Sequence, residues 1–547
     1  MATLLYNGRI FQSSGLVKPE HHFETCIAFD AVSSRILHVG SESDPGVLRL
    51  GGPDKSGFAQ ATDMQGKFIL PGFIDGHMHF LTLGQSMTKL SLAKCQNLED
   101  IVATLKEYAA AHPEVPRILA GHWMHHMTGD RATAAALADI DPRPIFIESK
   151  DLHFQWCNDA ALAEMDLADT PDPKGGKIVR DESGKPAGLV SENAVMTIVW
   201  PHLAKVAAMD AKVASLSAAL DAYCAAGYTG MIEMAMDEGG WEAALELRRQ
   251  RGGVLPVRLA AYWCLMPKPT EAETLAEIDR AAALRDEFNT TTSPDCRITG
   301  IKFICDGVID ACTAALKHPY ASGEAAGDPI WTAAMLGPAV ARATHHGLQV
   351  ALHAIGDETV HVAVEAIAAH APARLRPRIE HLELTAPEDV ARLGALGITA
   401  SIHPVHADPA ILREWPRLLG AHRCGRAFAY PEFADAGSVL AIGSDAPSAP
   451  LDPLPNLYTA TTRRSAREPL STDTVNPHFA LELAHAVTAA TAGTAYSVFD
   501  ENETGALKKG LRADIVVVDM QWEAHQLLQA KVLKTYSGGV LTFDAEA

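Results

Sequence analysis

Along most of the chain, short apolar runs of β-branched and aromatic character alternate with stretches of helical periodicity. This is the pattern of parallel strands joined by helices. The runs begin with FILPGFIDGHMH (68–79), YTGMIEMAM (228–236), VRLAAYWCLM (257–266) and ITGIKFICDG (298–307). They continue with LQVALHAIG (348–356), RIEHLEL (378–384), ITASIHPVH (398–406) and SVLAIGSDAP (438–447), which makes eight. Helix-like segments separate the later ones, for example PAVARATHHG before the fifth and ETVHVAVEAIAAHA after it. Eight strands with helical crossovers predict a (β/α)8 TIM-like barrel, whose active site lies at the C-terminal ends of the strands.

Two further runs, RILAGHWM (117–124) and PIFIESKDLHF (144–154), fall outside that count, in the long gap between the first and second barrel strands. Residues 85–205 are therefore expected to form an inserted, lid-like subdomain, including the turn-rich TPDPKGGKIVRDESGKPAG. The ends of the chain differ again: LLYNGRIF, FETCIAFDAVSSRILHVGSES and RADIVVVDMQ alternate like antiparallel strands. A small β-sandwich formed by both termini, residues 1–65 with 495–547, would flank a barrel domain of 66–494.

Composition narrows the function. The chain has 547 residues, 48% hydrophobic and 21% charged, as ordinary for a globular protein. A net charge of -21 disfavours nucleic acid and anionic membrane surfaces. No apolar run reaches the ~18 residues that a membrane span needs. The start, MATLLYNGRIF, lacks the marks of a secretory signal, and nine cysteines without paired spacing argue against a disulfide framework. A cytoplasmic, reduced protein acting on a small molecule is expected, with a homodimer left open.

The histidines carry the chemistry. His77 and His79 are two apart at the end of the first strand, so both side chains face the barrel axis. His353, His381 and Asp445 come at the ends of strands five, six and eight, and Lys302 lies on strand four. Four histidines and a carboxylate converging on one barrel end form a metal site suited to zinc, with manganese, iron and nickel as alternatives. Beside such a site a lysine ammonium is repelled. Lys302 would leave the pocket, pair with Asp306 or Asp310, or stay neutral and take up carbon dioxide as a carbamate. His403, following strand seven, and Trp123 and His153, in the insertion, are candidate substrate contacts.

The set HMH, the strand-four lysine, HAIGD, RIEH and GSDAP, in this order, resembles the metal-dependent amidohydrolase superfamily. It is similar in particular to the YtcJ-like branch, which includes N-substituted formamide deformylase. LPGFIDGHMH, DLHFQWCNDAAL, GGKIVRDESGKPAG, GSDAPSAPLDP and GLRADIVVVD extend the resemblance nearly end to end. The resemblance implies one metal on His77 and His79, a second on His353 and His381, and N6-carboxylated Lys302 bridging them. It also implies that Asp445 is both ligand and proton carrier. Two departures face the expected pocket: His403-Pro404 stands where the branch more often has Gln-Pro, and DGVIDACTAAL lacks the usual small-residue and arginine pattern.

The expected reaction is hydrolysis of a C–N bond in an amide, N-substituted formamide or similar molecule. The alternatives are a mononuclear deaminase or a lactonase or esterase on the same barrel, then an isomerase or decarboxylase, then a catalytically silent scaffold. The absence of GxGxxG and GxxxxGK[ST] motifs argues against a nucleotide cofactor.

Overall fold

The computed structural model describes residues 2–150, 153–173, 176–192 and 194–547. Positions 151–152, within PIFIESKDLHF and DLHFQWCNDAAL, and 174–175, within the turn-rich stretch, lie outside the described residues. The described residues form two compact units, one comprising residues 1–80, 220–241 and 245–547, the other 81–219 and 242–244.

The first unit holds eight parallel strands: β1 (Phe73–Met78), β2 (Tyr228–Met236), β3 (Arg258–Leu265), β4 (Cys296–Ile304), β5 (Gln349–Ala354), β6 (Arg378–His381), β7 (Thr399–Ile402) and β8 (Leu440–Ile442). Each pairs with the next in sequence order, and all are buried along almost their whole length, which explains why they read as continuous apolar runs. The intervening helices carry their own start signals. In Glu271–Glu287, between β3 and β4, Thr270 and Glu273 form a reciprocal capping box, and Thr274, Ile278, Ala281 and Ala282 make the buried face. The protein is thus a (β/α)8 barrel.

The barrel closes where β1 meets the chain after β8. Asp445 N–H donates to the His77 carbonyl at 2.7 Å, and His79 N–H donates to the Ala446 carbonyl at 2.9 Å. Glycine makes this approach feasible: a Cβ on Gly443 would lie 2.5 Å from His77 N, and one on Gly76 2.6 Å from the Ile442 carbonyl oxygen. Asp75 ties the seam from inside. It accepts hydrogen bonds from Ser444 N–H (2.9 Å), Ser444 Oγ (2.6 Å) and Tyr223 Oη (2.7 Å).

The apolar run 68–79, expected as one strand, is divided between two sheets. Phe68–Pro71 joins Arg9–Ser14 and Ile515–Asp519 in a six-stranded sheet, and Phe73–Met78 enters the barrel. The division falls at Gly72, where a Cβ would lie 2.3 Å from Thr229 Cγ2. A four-stranded sheet (Arg35–Gly40, Cys26–Asp30, Thr3–Tyr6, Gln60–Asp63) provides the other layer of a small sandwich drawn from both ends of the chain. Leu5, Ile27, Phe29, Ile69, Ile515 and Val517 share its core.

The second unit is built on a six-stranded mixed sheet with Ile118–Trp123, Ile145–Ser149 and Phe154–Cys157 at its centre. Alternate residues serve opposite faces, with Ile145 and Ile147 in one core and Phe146 in the other. No helix among the described residues is long and apolar enough to cross a membrane.

Because the seam has no space at Gly443, Gly443→Ala is expected to destabilise the protein by about 1–3 kcal/mol. Gly121→Ala, whose new Cβ would meet nothing nearer than 3.9 Å, should stay within about 0.5 kcal/mol of wild type. Thermal and urea unfolding of the two variants side by side measure this, and equal stabilities would contradict the seam argument.

Candidate metal centre

The strand ends bring one dense group of side chains together. His77 lies near the end of β1 and His79 just after it, Lys302 on β4, His353 on β5, and His381 at the end of β6. His403 follows β7 directly, and Asp445 comes three residues after β8. Ring centroids are 5.5 Å apart for His77 and His79, 5.0 Å for His77 and His381, and 4.2 Å for His353 and His381. Lys302 Nζ is 3.4 Å from His77 Nε2. Asp445 Oδ1 is 3.0 Å from His79 Nε2 and 3.5 Å from His77 Nε2, and its Oδ2 is 3.5 Å from His406 Nε2.

Three sets of groups each place one ligand atom per residue within 4.8 Å of one another: His77, His381 and His403; His77, His79 and Asp445; His381, His406 and Asp445. His353 is in none of these sets, and its Nε2 stands 3.4 Å from Asp306 Oδ1.

Burial sets the protonation states. It drives His77 and His381 well below the ordinary imidazole range, helped at His77 by the Lys302 charge and at His381 by His353 and His403. Burial likewise takes His353 and His403 down to about 3. Burial also opposes the charge on His79, but Asp445 alongside outweighs it and raises His79 to about 9. Asp445, which burial alone would push up, is held well below the carboxylate range by His79, His77 and His406. Burial lowers Lys302. Neutral His77, His353, His381 and His403 beside an ionised Asp445 are in the state that binds cations, whereas His79 would release its proton on binding one.

The donor set fits a metal ion. His79 Nδ1, His353 Nε2, His381 Nδ1 and both ring nitrogens of His403 are buried without a hydrogen-bond partner. Buried polar atoms normally find partners. A bound cation would take the lone pair of one nitrogen in each ring it touches, which fits a cluster of buried imidazoles left in part without partners. The backbone is also unusual here, because His381 (φ 76°), Leu382 (φ 51°) and Asp445 (φ 58°) adopt left-handed conformations that L-residues favour little.

Several groups support the cluster. Glu380 reaches across to His77, with Oε2 2.8 Å from Nδ1. Arg378, fully buried, donates to Glu380 Oε1 (2.8 Å), to the Gly76 carbonyl (2.7 Å) and to Ser401 Oγ (3.0 Å). Arg378 and Glu380 are two apart on one strand, as Asp75 and His77 are, so the period of two was a signal for both. Nothing local in the sequence pointed to Glu383, whose Oε1 is 3.0 Å from His406 Nδ1. Asp357 accepts from Lys317 N–H at 3.0 Å, and Asp306 accepts from Ile355 and Gly356 N–H, shaping the HAIGD turn.

Trp123 and His153 stand in the second unit, with partners of their own there. Trp123 Nε1 donates to Thr128 Oγ1 at 3.2 Å and its ring lies 5.5 Å from Trp156. His153 Nδ1 is 2.8 Å from Glu192 Oε2.

Comparison with known proteins agrees with this architecture. The YtcJ protein of Bacillus subtilis (strain 168) is 27% identical over 495 residues, covering 88% of this chain and 90% of that protein. The N-substituted formamide deformylase of Arthrobacter pascens is 24% identical over 530 residues, 93% of each. Among solved structures, an uncharacterized metal-dependent hydrolase from Pyrococcus furiosus superimposes with a TM-score of 0.78 at 23% identity, covering 96% of this chain and all of the other, so the two share a fold. The model of the Amidohydrolase family (Amidohydro_3) matches residues 60–543, and the chain belongs to that family.

Proposed function

We propose that the protein is a metal-dependent hydrolase that cleaves a C–N bond of a small molecule, with Asp445 as proton carrier. The observation that carries this reading is the convergence of His77, His79, His381 and Asp445 at one end of the barrel, with buried nitrogens left unpartnered. His77, His79, Lys302, His353, His381 and Asp445 would hold one or two divalent ions, zinc foremost. Burial of Lys302 lowers its pKa, the direction that makes the neutral amine, the form that takes up carbon dioxide to become N6-carboxylated, easier to reach. The name of the Arthrobacter pascens relative makes an N-substituted formamide the first substrate class to test.

When bound, a divalent ion supplies a Lewis acid for a carbonyl oxygen and lowers the pKa of its water from about 15.7 to about 7. The side chains supply the rest. Asp445, ionised at neutral pH and 3.0 Å from His79, is the carboxylate placed to accept a proton from the attacking water. Passing that proton to the departing nitrogen lets it leave as a neutral amine rather than an amide anion. Glu380, itself braced by Arg378, fixes the His77 ring and keeps Nε2 directed into the cluster.

Purified protein is expected to hydrolyse a formamide or amide, to lose activity on chelation and regain it with zinc, and to incorporate solvent oxygen into the acid product. Turnover that survives complete metal removal would overturn the proposal. Asp445→Asn should lower kcat by about 10²–10⁴-fold when compared with wild type at matched metal content, read by plasma emission. An unchanged kcat would take the proton role from Asp445. Glu380→Gln should weaken metal affinity about 10–100-fold in chelator competition, because the His77 ring loses its charged partner.

A further inference from the structure

Of the cluster, this ligand set leaves out His403 and His406, and while His406 has Glu383 for a partner, His403 has none. It follows β7 directly, is 2% exposed, and neither ring nitrogen has a hydrogen-bond partner. A neutral imidazole carries an N–H on one nitrogen and a lone pair on the other, so this ring buries an unpartnered lone pair of the kind a cation takes up. Its neighbour His406, by contrast, is given a carboxylate partner, Glu383.

The ring is nevertheless held in place. The His403 carbonyl accepts from Tyr430 Oη at 3.3 Å, and Asn456 Oδ1 accepts from Val405 N–H at 2.8 Å while its Nδ2 donates to the Gly443 carbonyl at 2.9 Å. Asn456 thereby couples the turn after β7 to the end of β8. The ring packs edge to face against His77 and against His381, each with centroids 4.6 Å apart.

One ligand nitrogen each from His77, His381 and His403 lies within 4.8 Å of the other two. Three points so placed share a centre within about 2.8 Å of each, against a zinc–nitrogen bond of about 2.0–2.1 Å, so shifts of under about 1 Å per ring bring all three to bonding distance. His77 offers only Nε2 for this, since Nδ1 is engaged by Glu380.

We propose that His403 is a metal ligand of this centre, sharing an ion with His77 and His381, so that the seventh strand contributes a third imidazole. The inference rests on the metal-hydrolase reading and extends it. Three neutral imidazoles leave the charge of the ion uncancelled and favour borderline cations such as zinc, cobalt and nickel over magnesium or calcium.

The test uses the full chain, stripped with chelator and reloaded with Co²⁺ alone. His403→Gln and His403→Asn are compared with wild type by chelator competition, by visible absorption of the cobalt, and by the paramagnetically shifted imidazole N–H signals in proton NMR. The expected result is a loss of affinity above about 100-fold, beyond what removal of an outer partner brings, together with an altered visible band and one fewer shifted N–H signal. Affinity within about threefold of wild type and unchanged spectra would overturn the assignment of His403 while leaving the metal-hydrolase reading intact. Wild-type protein that takes up neither cobalt nor zinc would overturn that reading and the inference together. Should both variants misfold, the anomalous signal in crystals of cobalt-loaded wild type decides. A peak within about 2.3 Å of a His403 nitrogen supports the ligand, and one beyond about 3 Å overturns it.

Discussion

The seam between the first and last barrel strands is the constraint on which the rest of the structure depends. Its hydrogen bonds run between residues that also form the candidate site: Asp445 N–H to the His77 carbonyl, and His79 N–H to the Ala446 carbonyl. Closing the barrel and assembling the site are therefore one event. A side chain at Gly76 or Gly443 would force the strands apart, and His77 and Asp445 would separate with them. Asp75 serves the same seam from within, taking three hydrogen bonds from Ser444 and Tyr223 although burial raises its pKa to about 6.

A second constraint is the buried chain Arg378–Glu380–His77. A buried ion pair recovers its desolvation cost only when its remaining hydrogen-bonding capacity is met. Here Arg378 reaches Gly76, Ser401 and Ser497 as well as Glu380, and Glu380 spends its second oxygen on His77. The arrangement links β6 to β1 and β7 across the barrel interior, and it fixes which nitrogen of His77 is presented to the cluster. Of the imidazoles beyond it, His353 stands 3.4 Å from Asp306 Oδ1, whereas the unpartnered nitrogens of His381 and His403 set the site apart from an ordinary polar core.

Much of this was legible in the chain because parallel barrel strands are buried on both faces and so announce themselves as apolar runs. All eight runs correspond to β1–β8, and the histidines at their ends come together. What escaped has physical reasons. The run 68–79 is uniformly apolar, and periodicity could not show that Gly72 divides it between sandwich and barrel. That Glu380 meets His77 was not legible, because adjacency in sequence is visible and reach across a barrel is not. Its strand turns it inward, toward His77. Glu383 lies just past β6 and Asn456 on the helix Pro453–Thr462, and neither has its partner near it in sequence.

The sequence by itself determined the strand count, the alternation with helices, the residue types at the strand ends and the family, since each is written in local pattern or in motif order. The tertiary structure decided the pairings: which carboxylate steadies which imidazole, which nitrogens stay unpartnered, and that His403 stands beside His77 and His381. The reason is range. Periodicity reports burial, a property of one strand and its two faces. A metal centre depends on side chains from strands hundreds of residues apart, and their separations exist only once Gly76 and Gly443 have allowed the barrel to close.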